Sequence, residues 1–106
     1  MGKMQRNKGA NAEREVVHIL NDNGVPSRRG QVFNHEPDIV DDSPIHWEIK
    51  RQETTKIGEW YRQSCEQSRG KIPVVVHRRS REPWMITMAF EDFLRLWKGE
   101  RNDPLE

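Results

Sequence analysis

Hydrophobic residues recur at helical spacing in three stretches of the chain and at strand-like spacing between them. The helical stretches span about residues 11–23, 57–68 and 90–98, and each is followed within two residues by a glycine that can end a helix. Shorter apolar runs, bounded by residues that favour turns, predict strands at about 25–33, 38–40, 45–50, 74–77 and 84–88. The order is helix, three strands, helix, two strands, helix. It predicts an α/β or α+β fold in which helices flank a mixed central β-sheet.

Both ends of the chain lack this patterning. Residues 1–9 are predicted to form a flexible basic arm, and residues 100–106 a flexible tail. The total of 106 residues fits one domain. Because the mean hydropathy is only -1.01, we expect a small core that gains stability from dimerisation.

The charged residues are segregated, although the formal net charge is only +1. Acidic groups concentrate in the middle of the chain, and basic groups lie on either side. The acidic set is Glu36, Asp38, Asp41, Asp42 and Glu48, and the basic set is Lys3, Arg6, Lys8, Arg28, Arg29, Lys50, Arg51, Lys56, His77, Arg78, Arg79 and Arg81. An acidic cluster framed by basic patches is typical of an enzyme that binds a polyanion around a cation. A solvated surface of mixed charge is the alternative.

The sequence also restricts the class and location of the protein. Cys65 is the only cysteine, which excludes an intrachain disulfide and a cysteine-based zinc site, and we expect its thiol to be buried. No stretch has the features of a signal peptide, and none approaches the roughly 20 apolar residues of a membrane span. We therefore expect a cytoplasmic protein without a membrane partner, in the host cytoplasm if a phage encodes it.

Two charged side chains share one face of the third predicted strand. Because alternate strand residues point the same way, Glu48 and Lys50 lie together, about 7 Å apart along the strand. Trp47 and Ile49 point to the opposite face, which suits burial. A simple exposed ion pair is the alternative explanation of this motif.

A second carboxylate is predicted to lie near Glu48. The turn at 41–44 would fold the strand that begins at Asp38 back onto the strand that contains Glu48. Two neighbouring carboxylates repel each other unless a cation lies between them, and oxygen ligands favour Mg²⁺ or Mn²⁺. The alternative is that Asp38 caps backbone amides near the turn.

The first helix adds a third carboxylate. At about 100° per residue, Glu13 falls within the stripe formed by Val16, Val17 and Leu20, whereas Glu15 falls on the opposite, solvent-facing side. A carboxylate on a buried stripe needs a partner. Glu13 would contact either the free amides of the helix N-terminus or the acidic metal site.

These groups are suited to hydrolysis of a phosphodiester. A divalent ion between carboxylates polarises the phosphate and activates water, while Lys50 orients or deprotonates the water or neutralises charge that develops on the phosphate. The four histidines have no evident nucleophile partner, and the chain has no P-loop. His46 lies either beside the site or on the strand surface.

The pattern Glu13, Pro37-Asp38 and Glu48-Ile49-Lys50 resembles the PD-(D/E)XK nuclease superfamily, which has a restriction-endonuclease-like core. The segment at 8–17, with its Lys8-Gly9 and Glu13-Arg14 pairs, resembles the first helix of archaeal-type Holliday junction resolvases and their short phage relatives. The resemblance extends over roughly residues 6–98. One departure is the loop between Arg28 and Pro37, which lacks the serine that resolvases place near the site.

The resemblance implies roles for individual residues. The metal site would consist of Glu13, Asp38, Glu48 and the Ile49 carbonyl, with Lys50 as the catalytic lysine. Gln63 would be a further catalytic residue, with Gln67 as the other candidate. Arg6, Lys8 and Arg14 would contact phosphates of branched DNA such as a four-way junction. The protein would act as a homodimer, with two sites that cut opposing strands.

Other surfaces leave two interpretations open. Arg28, Arg29, Arg51, Arg78 and Arg79 are candidate DNA contacts, although the segment 77–81 also fits an ordinary hydrophilic hairpin. Trp60 and Tyr61 would either stack on bases or be buried. Strand 84–88 is expected in the core or at a dimer face.

The alternative functions are a nicking enzyme or exonuclease of the same superfamily, and a non-catalytic junction-binding module.

Overall fold

A computed structural model of the chain describes residues 2–99, and for residues 2–7 it describes the backbone only. The predicted tail at 100–106 lies outside the described residues. Within residues 2–99 there are three helices, five strands and one short 3-10 turn. They are α1 (Gly2–Asp22), β1 (Ser27–Arg29), the 3-10 turn (Val32–Asn34), β2 (Ile39–Asp41), β3 (Ile45–Arg51), α2 (Ile57–Gln67), β4 (Ile72–Arg78), β5 (Met85–Thr87) and α3 (Phe90–Trp97).

Helix α1 begins at Gly2 rather than near Asn11, so the predicted start of this helix is wrong. The flexible basic arm at residues 1–9 stays a prediction. This segment contains no proline, and its lysines, arginine, glutamine and methionine are good helix formers. The end of the helix agrees with the prediction, because Gly24 adopts a left-handed conformation with a φ of 81°.

The strands form two sheets. β3 pairs in parallel with β4, and β4 pairs antiparallel with β5, so the three-stranded sheet is mixed. β1 and β2 form a separate antiparallel pair. The predicted pairing of β2 with β3 is therefore wrong. β4 pairs with β3 along the whole of that strand, from Ile45 opposite Ile72 to Arg51 opposite Arg78, and the short β2 pairs with β1 instead.

Helices cover both faces of the three-stranded sheet. The main core joins α1, β2, β3 and β4, and its buried members are Ala12, Val16, Ile39, Ile49, Ile72, Val74 and Val76. On the other face, the ring of Trp60 in α2 lies 5.9 Å from the ring of His77 in β4. Burial of Trp60 agrees with the core interpretation of this residue. Strand β4 is thus the central strand of the three-stranded sheet, and β3 is one of its edge strands.

Two expectations about burial are wrong. Cys65 is exposed, because Trp60 and Ser64 occupy the inward face of α2. Glu15 does not point to solvent alone, since it contacts basic residues of the sheet. The apolar side chains in and beside β5 and α3 are partly in the core and partly exposed, so both interpretations of strand 84–88 stay open. Trp84, Met88 and Leu96 pack against the core, whereas the exposed set is Met85, Ile86, Phe90, Phe93 and Trp97. No helix of the described residues is long and apolar enough to cross a membrane.

Candidate active site

An open cleft with a volume of about 850 Å³ lies along the free edge of β3. Its lining includes all the residues to which the sequence assigned a catalytic or metal-binding role. These are Glu13, Asp38, Glu48, Ile49, Lys50 and Gln63. The remaining lining residues are Lys8, Gly9, Arg51, Gln52, Glu53 and Thr54. The structure therefore brings residues from α1, β3, α2 and the segment before β2 to a single place.

Glu48 and Lys50 share one face of β3, as the alternation of the strand predicted. The Lys50 Nζ lies 3.8 Å from the Glu48 Oε2, and both side chains are largely buried. The other carboxylate oxygen of Glu48 lies 3.5 Å from the His46 Nε2. His46 is buried as well, so it lies beside the site rather than on the strand surface. The exposed ion pair that was the alternative for this motif is excluded by the burial of Glu48.

Asp38 reaches the cleft from the segment just before β2. Its Oδ2 accepts a hydrogen bond from the backbone N–H of Ile49, at 3.0 Å. Burial of the carboxyl, together with the nearby charge of Glu48, raises the pKa of Asp38 to about 6. Asp38 thus approaches Glu48 as predicted, but through a side-chain contact with β3 rather than through a hairpin. Asp41, in contrast, lies outside the cleft lining and accepts a hydrogen bond from the indole of Trp47.

Glu13 faces the cleft from α1. Its Oε1 lies 3.1 Å from the Nε of Arg29, which follows from the helical position that placed Glu13 on the buried side. Because α1 begins at Gly2, Glu13 lies about three turns inside the helix, too far from its N-terminus to contact free amides. That alternative for Glu13 is therefore excluded.

The second helix contributes one residue to the cleft. Gln63 lies on α2 one turn beyond the buried Trp60, so its side chain is on the inward half of the helix and lines the cleft. Gln67, the other candidate, is the last residue of α2, is exposed and does not line the cleft. The geometry thus favours Gln63.

Two of the predicted DNA contacts have structural partners inside the protein. The Arg51 Nη1 lies 3.6 Å from one carboxylate oxygen of Glu15, and the Arg78 Nη2 lies 3.5 Å from the other. The indole N–H of Trp84 donates to Glu15 at 2.8 Å, and the guanidinium of Arg78 lies over the Trp84 ring at 5.3 Å. Arg51 and Arg78 therefore join α1 to the sheet. The sequence did not reveal this cluster because its members come from four separate elements.

The other predicted DNA contacts differ in their accessibility. Arg28 and Arg79 are each paired with one nearby carboxylate, Glu36 and Glu82 respectively, through two hydrogen bonds. Arg29 is engaged with Glu13. Two predicted contacts on α1 are exposed: Lys8 lines the cleft, and Arg14, which does not line it, donates to Asn11. The side chain of Arg6 lies outside the described residues.

The donor chemistry of the cleft suits a divalent cation. Glu13, Asp38 and Glu48 supply oxygen atoms only, which Mg²⁺ and Mn²⁺ prefer. The pKa of Asp38 is raised first by burial and then by the nearby charge of Glu48. In the described part of the chain, no three His, Cys, Asp or Glu side chains already form a metal-binding group. A divalent ion would compete for these carboxylates with Arg29 and Lys50, which contact them here.

Comparisons with known proteins identify the fold but not a family. No family model matches the chain, and no curated protein matches it. Among solved structures, the chain is similar to Archaeoglobus fulgidus Hjc, a Holliday junction resolvase from an archaeal hyperthermophile. The TM-score is 0.56 at 19% sequence identity, and the match covers 72% of each chain. At this identity the likeness shows the fold, which is the predicted restriction-endonuclease-like arrangement of a mixed sheet with flanking helices.

Proposed function

We propose that this protein is a metal-dependent endonuclease that hydrolyses phosphodiester bonds in branched DNA, with four-way junctions as its substrate. The observation that carries the proposal is the common cleft of Glu13, Asp38, Glu48 and Lys50. Three carboxylates and one lysine around a cleft that is open to solvent meet the needs of metal-assisted hydrolysis of an extended polyanion. The fold shared with a resolvase supports the same reaction class.

The predicted site residues would have distinct roles in this reaction. Glu13, Asp38, Glu48 and the Ile49 carbonyl would hold Mg²⁺ or Mn²⁺, which when bound supplies Lewis-acid activation of the phosphodiester and of water. Lys50, 3.8 Å from Glu48, is positioned to orient the attacking water or to neutralise the charge that develops on the phosphate. Gln63 would orient the water or a phosphate oxygen from the α2 side of the cleft. Lys8 and Arg14 would contact the DNA backbone.

The experiment that tests this proposal uses labelled DNA of different shapes. A four-way junction, a matched duplex and single strands are incubated with the protein in Mg²⁺, in Mn²⁺ or in chelator. Symmetric, metal-dependent nicks in the junction are expected. Equal cleavage of plain duplex would contradict the junction preference and favour a nicking enzyme, release of mononucleotides from ends would favour an exonuclease, and binding without cleavage would leave only a junction-binding module.

We also propose that the protein acts as a homodimer through the apolar face of β5 and α3. Five large apolar side chains of these two elements are 42–77% accessible, and exposed apolar surface of this kind often marks a site of association. They are Met85, Ile86, Phe90, Phe93 and Trp97. A second copy would place two clefts in one particle, as paired cuts across a junction require.

Sedimentation equilibrium tests the dimer. The wild-type protein is expected at about twice the chain mass of 12.6 kDa, and Ile86→Asp is expected to sediment as the monomer because it buries a charge in the interface. Ile19→Asp, at an exposed apolar position of α1, is the matched control and keeps the dimer mass. A dimer that persists in Ile86→Asp would contradict this choice of face.

A further inference from the structure

The loop between β1 and β2, residues 30–38, is closed at its base beside the cleft. The backbone N–H of Gly30 donates to the Asp38 carbonyl at 2.9 Å. A side chain at position 30 would overlap the Pro37 carbonyl oxygen, so the two ends of the loop lie in direct contact and position 30 requires glycine. The residues at the two ends are Arg29, which contacts Glu13, and Asp38, which contacts Ile49. Both ends of the loop are therefore held by contacts with residues that line the candidate active site.

The loop is held in shape by its own hydrogen bonds. Glu36 accepts two hydrogen bonds from the guanidinium of Arg28, at 2.9 and 3.1 Å, and a third from the backbone N–H of Gln31, at 2.8 Å. These contacts, with Arg28 as the main cause, lower the pKa of Glu36 to about 2. The amide of Asn34 donates to the side chain of Gln31 at 2.7 Å. The tip is therefore presented in a defined conformation without packing against the core.

The tip itself is apolar and uncharged. Val32 and Phe33, in the 3-10 turn, are 86% and 78% exposed, so they contribute little to the hydrophobic core. The two arginines that precede the tip are both paired, Arg28 with Glu36 and Arg29 with Glu13, and His35 follows the tip. A neutral aromatic tip does not suit a phosphate, but it does suit the face of a base. The patch is also too small for a stable protein interface, which takes about 800 Å² from each partner.

We propose that Phe33 stacks on an unstacked base of the bound DNA next to the cleft. This inference rests on the proposed nuclease function and adds a determinant of its substrate class. In a regular duplex every base is already stacked, whereas branch points expose bases or let an apolar side chain insert between steps. A ring at the tip of a loop that ends at Asp38, which lines the cleft, would select DNA in which such a base lies close to the scissile phosphate. Phe33 is thus a specificity-determining residue for branched DNA.

Binding measured in chelator separates this role from cleavage. Fluorescence anisotropy of the wild-type protein and of its Phe33 variants is followed with a labelled four-way junction and with a matched duplex. Phe33→Ala is expected to weaken junction binding about tenfold, within the range of one base–aromatic stack, with little effect on duplex binding. Phe33→Trp restores junction affinity because it keeps an aromatic face. Phe33→Leu keeps the apolar volume and is expected to bind as weakly as Phe33→Ala.

A control variant and the remaining outcomes decide whether Phe33 stacks on a base. Ile19→Ala, an exposed apolar residue on α1, leaves junction affinity unchanged. Unchanged junction affinity in Phe33→Ala, full affinity in Phe33→Leu, an equal loss on duplex, or a changed molecular mass by light scattering would each overturn the stacking role. Absence of junction binding by the wild-type protein would overturn it as well. Junction binding that depends on Phe33 without any cleavage in Mg²⁺ would refute the nuclease and leave the stacking intact.

Discussion

The carboxylate of Asp38 accepts a hydrogen bond from the backbone N–H of Ile49, the residue that separates Glu48 from Lys50 in β3. This hydrogen bond at 3.0 Å joins the segment before β2 to β3 at the cleft. It also holds a carboxyl in a buried position near other carboxylates, where its ionised form is unfavourable. Ionised Asp38 therefore lowers the free energy of unfolding at neutral pH. Such a loss is expected where a residue serves the chemistry of a site rather than folding.

The first prediction concerns the pH dependence of stability. Because the pKa of Asp38 rises from 3.8 to about 6 on folding, its favourable contribution is complete below its unfolded pKa and is lost as pH rises through 6. Asp38→Asn keeps an oxygen that can accept from Ile49 and does not ionise. The variant is expected to gain stability relative to wild type between pH 4 and pH 8, by at most about 3 kcal/mol.

Urea denaturation of the wild-type protein and of Asp38→Asn across this pH range measures the difference in their free energies of unfolding. The difference between wild type and variant removes the contributions of all other titrating groups, including Glu36. A difference that does not change with pH would show that Asp38 titrates as it does in the unfolded chain.

The second prediction concerns metal binding by the folded protein. Mg²⁺ that binds between the carboxylates would stabilise the native state only, by about 2.7 kcal/mol at one hundred times its dissociation constant. At pH 8 the Tm of the wild-type protein is therefore expected to rise with added Mg²⁺, and the Tm of Asp38→Asn to rise much less. Glu59→Gln, at an exposed position of α2 that does not line the cleft, serves as the charge-matched control.

A third prediction separates binding from catalysis at β3. Lys50→Met and Glu48→Ala are each expected to lower the rate of junction cleavage by about 10²-fold to 10⁴-fold, the usual effect of removing a group that acts on the reacting atoms. Junction affinity in chelator should remain within a few-fold of wild type. Single-turnover cleavage gives the rates, and activity equal to wild type in either variant would refute the assignment of the site.

The fourth prediction concerns the contact between α1 and the sheet. Glu15→Ala removes the carboxylate shared by Arg51, Arg78 and Trp84, so two half-buried cations lose their partner. The free energy of unfolding is expected to fall by about 2 kcal/mol. Glu66→Ala, at an exposed position of α2, is expected to change it by less than about 0.5 kcal/mol. Similar values for the two variants would mean that Glu15 has no structural role.

The parts of the site that depend on local periodicity were predictable from the sequence. Alternation along β3 placed Glu48 and Lys50 on one face, and the helical wheel placed Glu13 on the inward side of α1. Both predictions need only the spacing within one element. The proximity of Asp38 to Glu48 was also predicted, although the pairing assumed for it was wrong.

Contacts between distant elements were not predictable in the same way. A wheel for α1 alone places Glu15 opposite the apolar stripe, and nothing in the helix indicates that Arg51 and Arg78 approach it from the sheet. The apolar residues of α3 have helical spacing, yet spacing cannot distinguish a stripe that packs on its own sheet from one that stays accessible. Strand pairing fails for a related reason, since the turn at 41–44 favours a local hairpin and the longer strand β4 lies far along the chain.

The hydrogen bond between Gly30 and Asp38 closes the loop at its base, before the chain reaches the tip. Residues 31–37 can therefore change in length or composition while Arg29 and Asp38 keep their positions. If Phe33 acts as proposed, the chemistry of the cleft and the shape of DNA that it accepts would reside in separate pieces of the chain. Exchange of this one loop would be a route by which nucleases of this fold diverge in substrate while they conserve the reaction.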